Sequence, residues 1–147
     1  MSAVTVQSAA VASGLRIEDR QAGVVHCRTG EYAATAALDA NSIVQMVPVP
    51  KYAQILDIQL YIGDSGEGRT FDVGDGGLVD RFFDGLDPSG GPIRKSLVPD
   101  GDAAYIENYE YTADDTIDIK WLGDTLENAQ KLYMNVFYKM GDTIEDE

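Results

Sequence analysis

His26 and Cys27 stand side by side as the only histidine and the only cysteine of the chain, the one place where an imidazole and a thiolate could share a reaction. A strand over this stretch separates them, because consecutive side chains of a strand leave opposite faces and cannot meet as base and nucleophile. The expectation is a packed or surface histidine and an inert buried thiol. One His and one Cys also cannot assemble the usual zinc sites within a single chain. Oxygen ligands are more plentiful. Asp64-Ser65-Gly66-Glu67, Asp72-Val73-Gly74-Asp75 and Asp100-Gly101-Asp102 could offer carboxylates to calcium, yet none follows the twelve-residue loop with its closing glutamate. Asp and Gly are also what tight turns require, so solvated turns are expected here and no metal or cofactor. Gly-x-Ser-x-Gly elbows, phosphate loops and dinucleotide fingerprints are missing, and so many acids make any one carboxylate pair uninformative. An enzyme is not expected.

Tyrosine is the remaining chemistry, with eight residues against four phenylalanines and one tryptophan. From Ala104 to Tyr111 the residues Tyr105, Glu107, Tyr109 and Tyr111 alternate with Ala104, Ile106, Asn108 and Glu110, the period of a strand. Tyr105, Tyr109 and Tyr111 would then share one side. Cross-strand packing is the first explanation for such a set; a protein interface or a sugar-stacking face are the others.

The elements that would carry these residues read as β throughout. Val24, Val25 and Cys27 to Thr29 form a strand that Tyr32 to Ala37 continues or returns. Ile43, Val44, Met46 and Val47 make an apolar run closed by Pro48 and Pro50, which have no ladder N–H to give. From Gln54 to Ile62, Leu56, Ile58, Leu60 and Ile62 fall on one face and Ile55, Asp57, Gln59 and Tyr61 on the other. Thr70, Phe71 and Val73 follow a glycine and acid loop and end at the Gly74-Asp75-Gly76-Gly77 turn. Asp84 to Asp102, rich in Gly and Pro, reads as a long connection with one short strand near Ile93 to Leu97. Asp115 to Leu122 alternates cleanly, with Ile117, Ile119 and Trp121 on one face. Lys131 to Met140 sets Leu132, Met134, Val136 and Tyr138 against Tyr133, Asn135 and Phe137. Bulky groups on both faces predict a central strand or one covered by a neighbour.

About eight strands joined by Gly and Pro turns predict an all-β, antiparallel β-sandwich of jelly-roll type, with an immunoglobulin-like sandwich as the alternative. The 147 residues, 44% of them apolar, suit one such domain over 23–140. Residues 1–22 read as an extended N-terminal arm and 141–147 as an acidic tail. The formal net charge of -14, from 25 acids and 11 bases, argues against nucleic-acid binding, which needs clustered Lys and Arg. A single cysteine allows no internal disulfide and fits synthesis in a reducing cytoplasm. Neither a signal segment nor an apolar run long enough for a membrane helix is found, so a soluble protein with no membrane partner is expected.

One stretch carries a family likeness. Ala40-Asn41-Ser42-Ile43 opening a strand, Val49-Pro50-Lys51-Tyr52-Ala53 as a proline turn, Ile55-Leu56-Asp57-Ile58 as the next strand, and Phe71-Asp72-Val73-Gly74-Asp75 with Asp80-Arg81-Phe82 beyond, taken in that order, resemble the capsid decoration or cement proteins of tailed bacteriophages. The chain departs from that pattern at Leu126 to Gln130, which could form a helical turn. The resemblance implies a β-sandwich on the outside of the phage head, made in the host cytoplasm, that staples capsid subunits and catalyses nothing. Its partners would be the major capsid protein and copies of itself, as dimers or trimers. The interface residues expected on this reading are Val4, Val6, Val11, Leu15 and Arg16 of the arm, and Asp87, Pro88, Ile93, Arg94 and Lys95 of the long connection. The alternative is a carbohydrate- or receptor-binding sandwich of a phage fibre, tail or adhesin, acting through exposed tyrosines.

Overall fold

In the computed structural model the described residues are 3–12, 24–63, 68–100, 109–125 and 130–141. Nine strands lie among them: β1 (Thr5–Gln7), β2 (His26–Ala33), β3 (Ile43–Val49), β4 (Ala53–Ile62), β5 (Thr70–Gly74), β6 (Phe83–Leu86), β7 (Ile93–Ser96), β8 (Asp115–Leu122) and β9 (Lys131–Met140). Two single helical turns, α1 (Ala9–Ala12) and α2 (Leu97–Asp100), accompany them.

The strands form two sheets, β1-β3-β8-β5-β6 and β2-β9-β4-β7. Strand β2 pairs with β9, β3 with β8, β4 with β7 and β5 with β6, all antiparallel. The chain from β2 to β9 is therefore one long two-stranded ribbon, bent back at the β5–β6 hairpin. Pairing of β4 with β9 and of β5 with β8 rolls that ribbon onto itself. This is a jelly roll, in which every residue of the inner faces can be apolar because a second coil covers it. Trp121, Tyr138, Phe71, Phe82 and Phe83 are the largest side chains closed in between the sheets.

Local chemistry explains where strand boundaries fall. Pro48 does not end β3 as its missing N–H suggests; it pairs with Thr116 inside the strand. The reason is topological. Strand β1 accompanies β3 only from Ile43 to Gln45, so the far side of β3 has no named strand to bond by Pro48, the position at which a sheet tolerates proline. Alternation along β4 also breaks. Ile55 faces Tyr138 and Asp57 faces Phe137, leaving Leu56 as the extra residue of a bulge. The bulge changes faces, so Ala53 and Ile55 join Ile58, Leu60 and Ile62 in the core while Leu56 is half-buried. Strand β6, a further element of the first sheet, falls where a plain connection was expected.

Residues 3–12 of the expected arm lie against the sandwich. Strand β1 runs parallel to β3, Ser8 donates its hydroxyl to the carbonyl of Met46, and α1 packs near both β2 and β3. Thr5–Gln7 thus lengthens one sheet. The expected tail after Gly141, the Leu126 to Gln130 turn up to residue 129, and most of the Ala104 to Tyr111 strand lie outside the described residues. Of the last, Glu110 bridges Gln54, so 109–111 takes up the edge of β4 that β7 leaves open.

Candidate interaction face

The only His–Cys neighbours do not form a pair. His26 is half-buried and stacks on Tyr138 with ring centroids 5.2 Å apart, whereas Cys27 is exposed on the other face. The expectation of a buried thiol is corrected, because the core side of β2 is taken by His26, Arg28, Gly30 and Tyr32. Desolvation nevertheless raises the Cys27 thiol above its ordinary value, against a lowering hydrogen bond from Thr29, the reverse of what an activated nucleophile needs.

The acid turn after β5 is consumed by structure. Asp75 is 1% exposed. Its Oδ2 accepts from Arg81 Nε at 2.6 Å and from the Tyr111 hydroxyl at 2.8 Å. Its Oδ1 accepts the N–H groups of Gly77 and Leu78, both at 2.9 Å. Arg81 in turn lies over the Tyr109 ring at 3.8 Å, and Tyr109 meets Tyr111 edge-on at 5.0 Å. Nothing is left on Asp75 for a cation. Its expected companion Asp72 accepts instead from Gly85 N at 2.8 Å. The other two acidic loops lie largely outside the described residues. Among the described residues no group of three or more His, Cys, Asp or Glu is placed to hold a metal.

The same cluster corrects the aromatic face. Tyr111 is 3% exposed, and burial followed by the charge of Asp75 drives its hydroxyl well above the ordinary tyrosine value. It is a core residue with a buried partner, unable to stack on a sugar. Tyr109 is half-buried beneath Arg81, and Tyr105 lies outside the described residues.

The expected partner residues divide between two edges. Val4 is 44% exposed and tied through its N–H to Ser42 Oγ at 2.9 Å. Val6 is half-buried in β1 and packs on the core, and Val11 is half-buried in α1. Leu15 and Arg16 lie outside the described residues. Asp87 is exposed and closes a local turn by accepting Ser89 N at 2.9 Å. Pro88 is buried, so it offers no surface to a partner. Ile93, Arg94 and Lys95 occupy β7, with Arg94 exposed and the other two half-buried. Strand β1 flanks β3 on the side where β2 closes the sandwich, while β7 is the far edge of the opposite sheet. The two sets do not meet.

What the fold does assemble is the outer face of β2-β9-β4-β7. Register places Glu31, Tyr133, Tyr61 and Arg94 in one row across the four strands. The next row on that face is Thr29, Asn135, Gln59 and Ser96. Thr29 donates to Asn135 Oδ1 at 2.6 Å and Asn135 Nδ2 to Gln59 Oε1 at 3.3 Å. The Arg94 guanidinium sits 5.0 Å over the Tyr61 ring. Tyr133, 40% exposed, borders two open hollows of about 310 and 470 Å3, both also lined by Tyr61 and Arg94. The second face of β9 was visible in the sequence as bulky; that Tyr61 would stand beside it depends on the β4–β9 register, which no local pattern reveals.

No family model and no curated protein sequence matches the chain. Solved structures do match in fold. The chain is similar to one in the capsid of Ralstonia phage GP4, with a TM-score of 0.74 at 18% identity over 95% of this chain and 99% of that one. It is also similar to a chain of the cyanophage Pam1 capsid asymmetric unit, with a TM-score of 0.66 at 17% identity over 87% and 95% of the two chains. A third likeness is to a chain in the acidic stable capsid structure of Helicobacter pylori bacteriophage KHP30, with a TM-score of 0.56 at 17% identity over 86% and 96%. At these identities what is shared is the jelly roll, over nearly the whole of each chain.

Proposed function

We propose that this chain is a non-enzymatic structural protein of a bacteriophage capsid, and that it serves there as a decoration or cement protein on the outer surface of the head. The observation that carries this is the whole-chain character of the likeness, 95% of this chain against 99% of the GP4 capsid chain. The match takes in nearly all of a capsid chain of about this length, the form expected of a separate subunit laid on a lattice. The side chains agree. The polar cluster around Asp75 is spent on internal bonds, and a net charge of -14 suits the solvent side of the shell and not the side packed with nucleic acid. Function follows by mass action, since a protein that binds only the assembled lattice stabilises it by its binding free energy, repeated at many sites. The major capsid protein is its partner in this scheme, and it reaches the shell from the host cytoplasm.

A second reading rests on the hollows beside Tyr133, where an exposed ring adjoins the amides of Asn135 and Gln59, a pairing that also suits a glycan on a fibre or tail module. The two part on stoichiometry. Virions banded on a density gradient should carry this chain at a fixed ratio approaching one per capsid subunit, measured by quantitative mass spectrometry. A few copies per particle would transfer it to the fibre or tail, and its absence from purified particles would end the virion reading.

A further inference from the structure

We propose that the outer face of the four-stranded sheet docks a second copy of the chain about a two-fold axis running along the strands between β9 and β4. Such an axis, lying in the plane between two facing sheets, exchanges the β2 side with the β7 side and β9 with β4, and keeps each residue at its own height along the strands. A residue row across the sheet then faces its own reverse. Reversed, the row Glu31, Tyr133, Tyr61, Arg94 sets Glu31 against Arg94 and Tyr133 against Tyr61, at both ends of the row at once. The row Thr29, Asn135, Gln59, Ser96 sets hydroxyl against hydroxyl and amide against amide. Both rows are complementary to themselves under one operation, which is what an isologous interface demands of a surface.

Charge decides in favour of a second copy over an arbitrary acidic partner. The chain carries 25 acids and 11 bases, so two random faces of it repel. This row ends instead in one acid and one base, both exposed, and the reversal neutralises both. Shape agrees, because the hollow lined by Tyr61, Arg94, Gln59 and Asn135 lies over Tyr61, where the axis brings the partner's aromatic side chain. Tyrosine, which the axis sets at the centre of the contact, is among the side chains that contribute most per residue to association. The inference stands apart from the capsid reading. A dimer that binds no capsid would remove that reading and leave this one.

The test is sedimentation equilibrium of the purified chain across the micromolar range, with Glu31→Arg, Arg94→Glu and the double variant. The two-fold repeats each substitution, so each single change places like charges together twice and should weaken the dimer by about tenfold. The double variant restores opposite charges and should recover most of that loss. Tyr133→Ala should abolish the dimer while circular dichroism and urea midpoint report an intact fold. A monomeric wild type, an oligomer indifferent to the single changes, or a double variant no tighter than the singles would each overturn the proposal. So would a monomer whose Tyr133→Ala form loses binding to capsid or to glycan, since the face would then belong to that partner.

Discussion

Asp118 sits in the middle of β8, between Gln45 of β3 and Gly74 of β5, and is only 7% exposed. Burial, and then the charges of Asp115 and Asp75, push its carboxyl up to about 7, against the lowering effect of the Thr116 hydroxyl that it accepts at 2.6 Å. Asp72 is pushed the same way by burial, with Asp84 and Asp80 adding to it and the Gly85 N–H opposing. The linkage follows directly. Between the ordinary carboxylate range and about pH 7 the folded state holds a proton that the unfolded chain has released, so the contribution of Asp118 to stability is present at low pH and lost as pH rises through that window. Asp118→Asn keeps an oxygen for Thr116 and removes the titration. It should stabilise the fold at pH 8 by roughly 1–3 kcal/mol and leave it nearly unchanged near pH 4. Urea midpoints of both proteins from pH 4 to 8 check this, and curves that run parallel would dispose of it. None of this was legible from the chain, where the alternation only places Asp118 on the face opposite Ile117, Ile119 and Trp121. It is buried by elements beyond its own strand, and only the tertiary fold states the cost. For Tyr111 the packing expected first of the tyrosine set is what the fold shows, but its buried partner Asp75 was not visible in the chain.

At the scale of elements, legibility followed locality. Strand β9 keeps an unbroken period of two, and β8 shows it in Ile117, Ile119 and Trp121 although Asp118 between them is also buried; both were readable as strands because each lies between two neighbours and sets a run of large side chains toward the core. Strand β4 was readable as a strand but not in its faces, since the Leu56 bulge is a property of pairing with β9. Strand β1 and strand β6, with three and four residues, are too short to show a period and exist because β3 and β5 offer them an edge. Gly30 shows how closely two elements are fitted. It lies in β2 facing the core, and a methyl group added there would run into the carbonyl of Met46 in β3, at the flank where the two sheets approach. The obstacle is backbone held in its own ladder, so rotamer changes cannot relieve it. Gly30→Ala should therefore cost about 2–3 kcal/mol, read as a lowered urea midpoint at unchanged slope. A variant as stable as the parent would mean that β2 can drift from β3, and that this flank of the roll is looser than its packing implies.

For the whole molecule, the rolled ribbon explains how one small chain with a single cysteine can close a core between two sheets. Each strand of one half is paired with its counterpart in the other half and then covered by the next coil, so among the described residues no long unpaired run of the ribbon is left inside. Rigidity matters to the proposed role, because a tile that deformed under load would pass strain to the lattice instead of resisting it. The energetic form of that resistance is specific. If the chain binds the assembled shell and not the dissociated subunits, each site adds RT ln(1 + [L]/Kd) to the stability of the shell, about 1.4 kcal/mol for every tenfold rise of free protein above Kd. Shells stripped of the chain should accordingly open at a lower temperature than complete ones. Adding back purified protein should raise the opening temperature first with occupancy and then further with the logarithm of free protein beyond saturation. Light scattering together with dye access to the packaged nucleic acid follows this opening. A module that binds glycans would leave the transition where it was at every concentration, and a rise that stops dead at saturation would show that the chain also stays bound to opened subunits, and so acts as a passive coat.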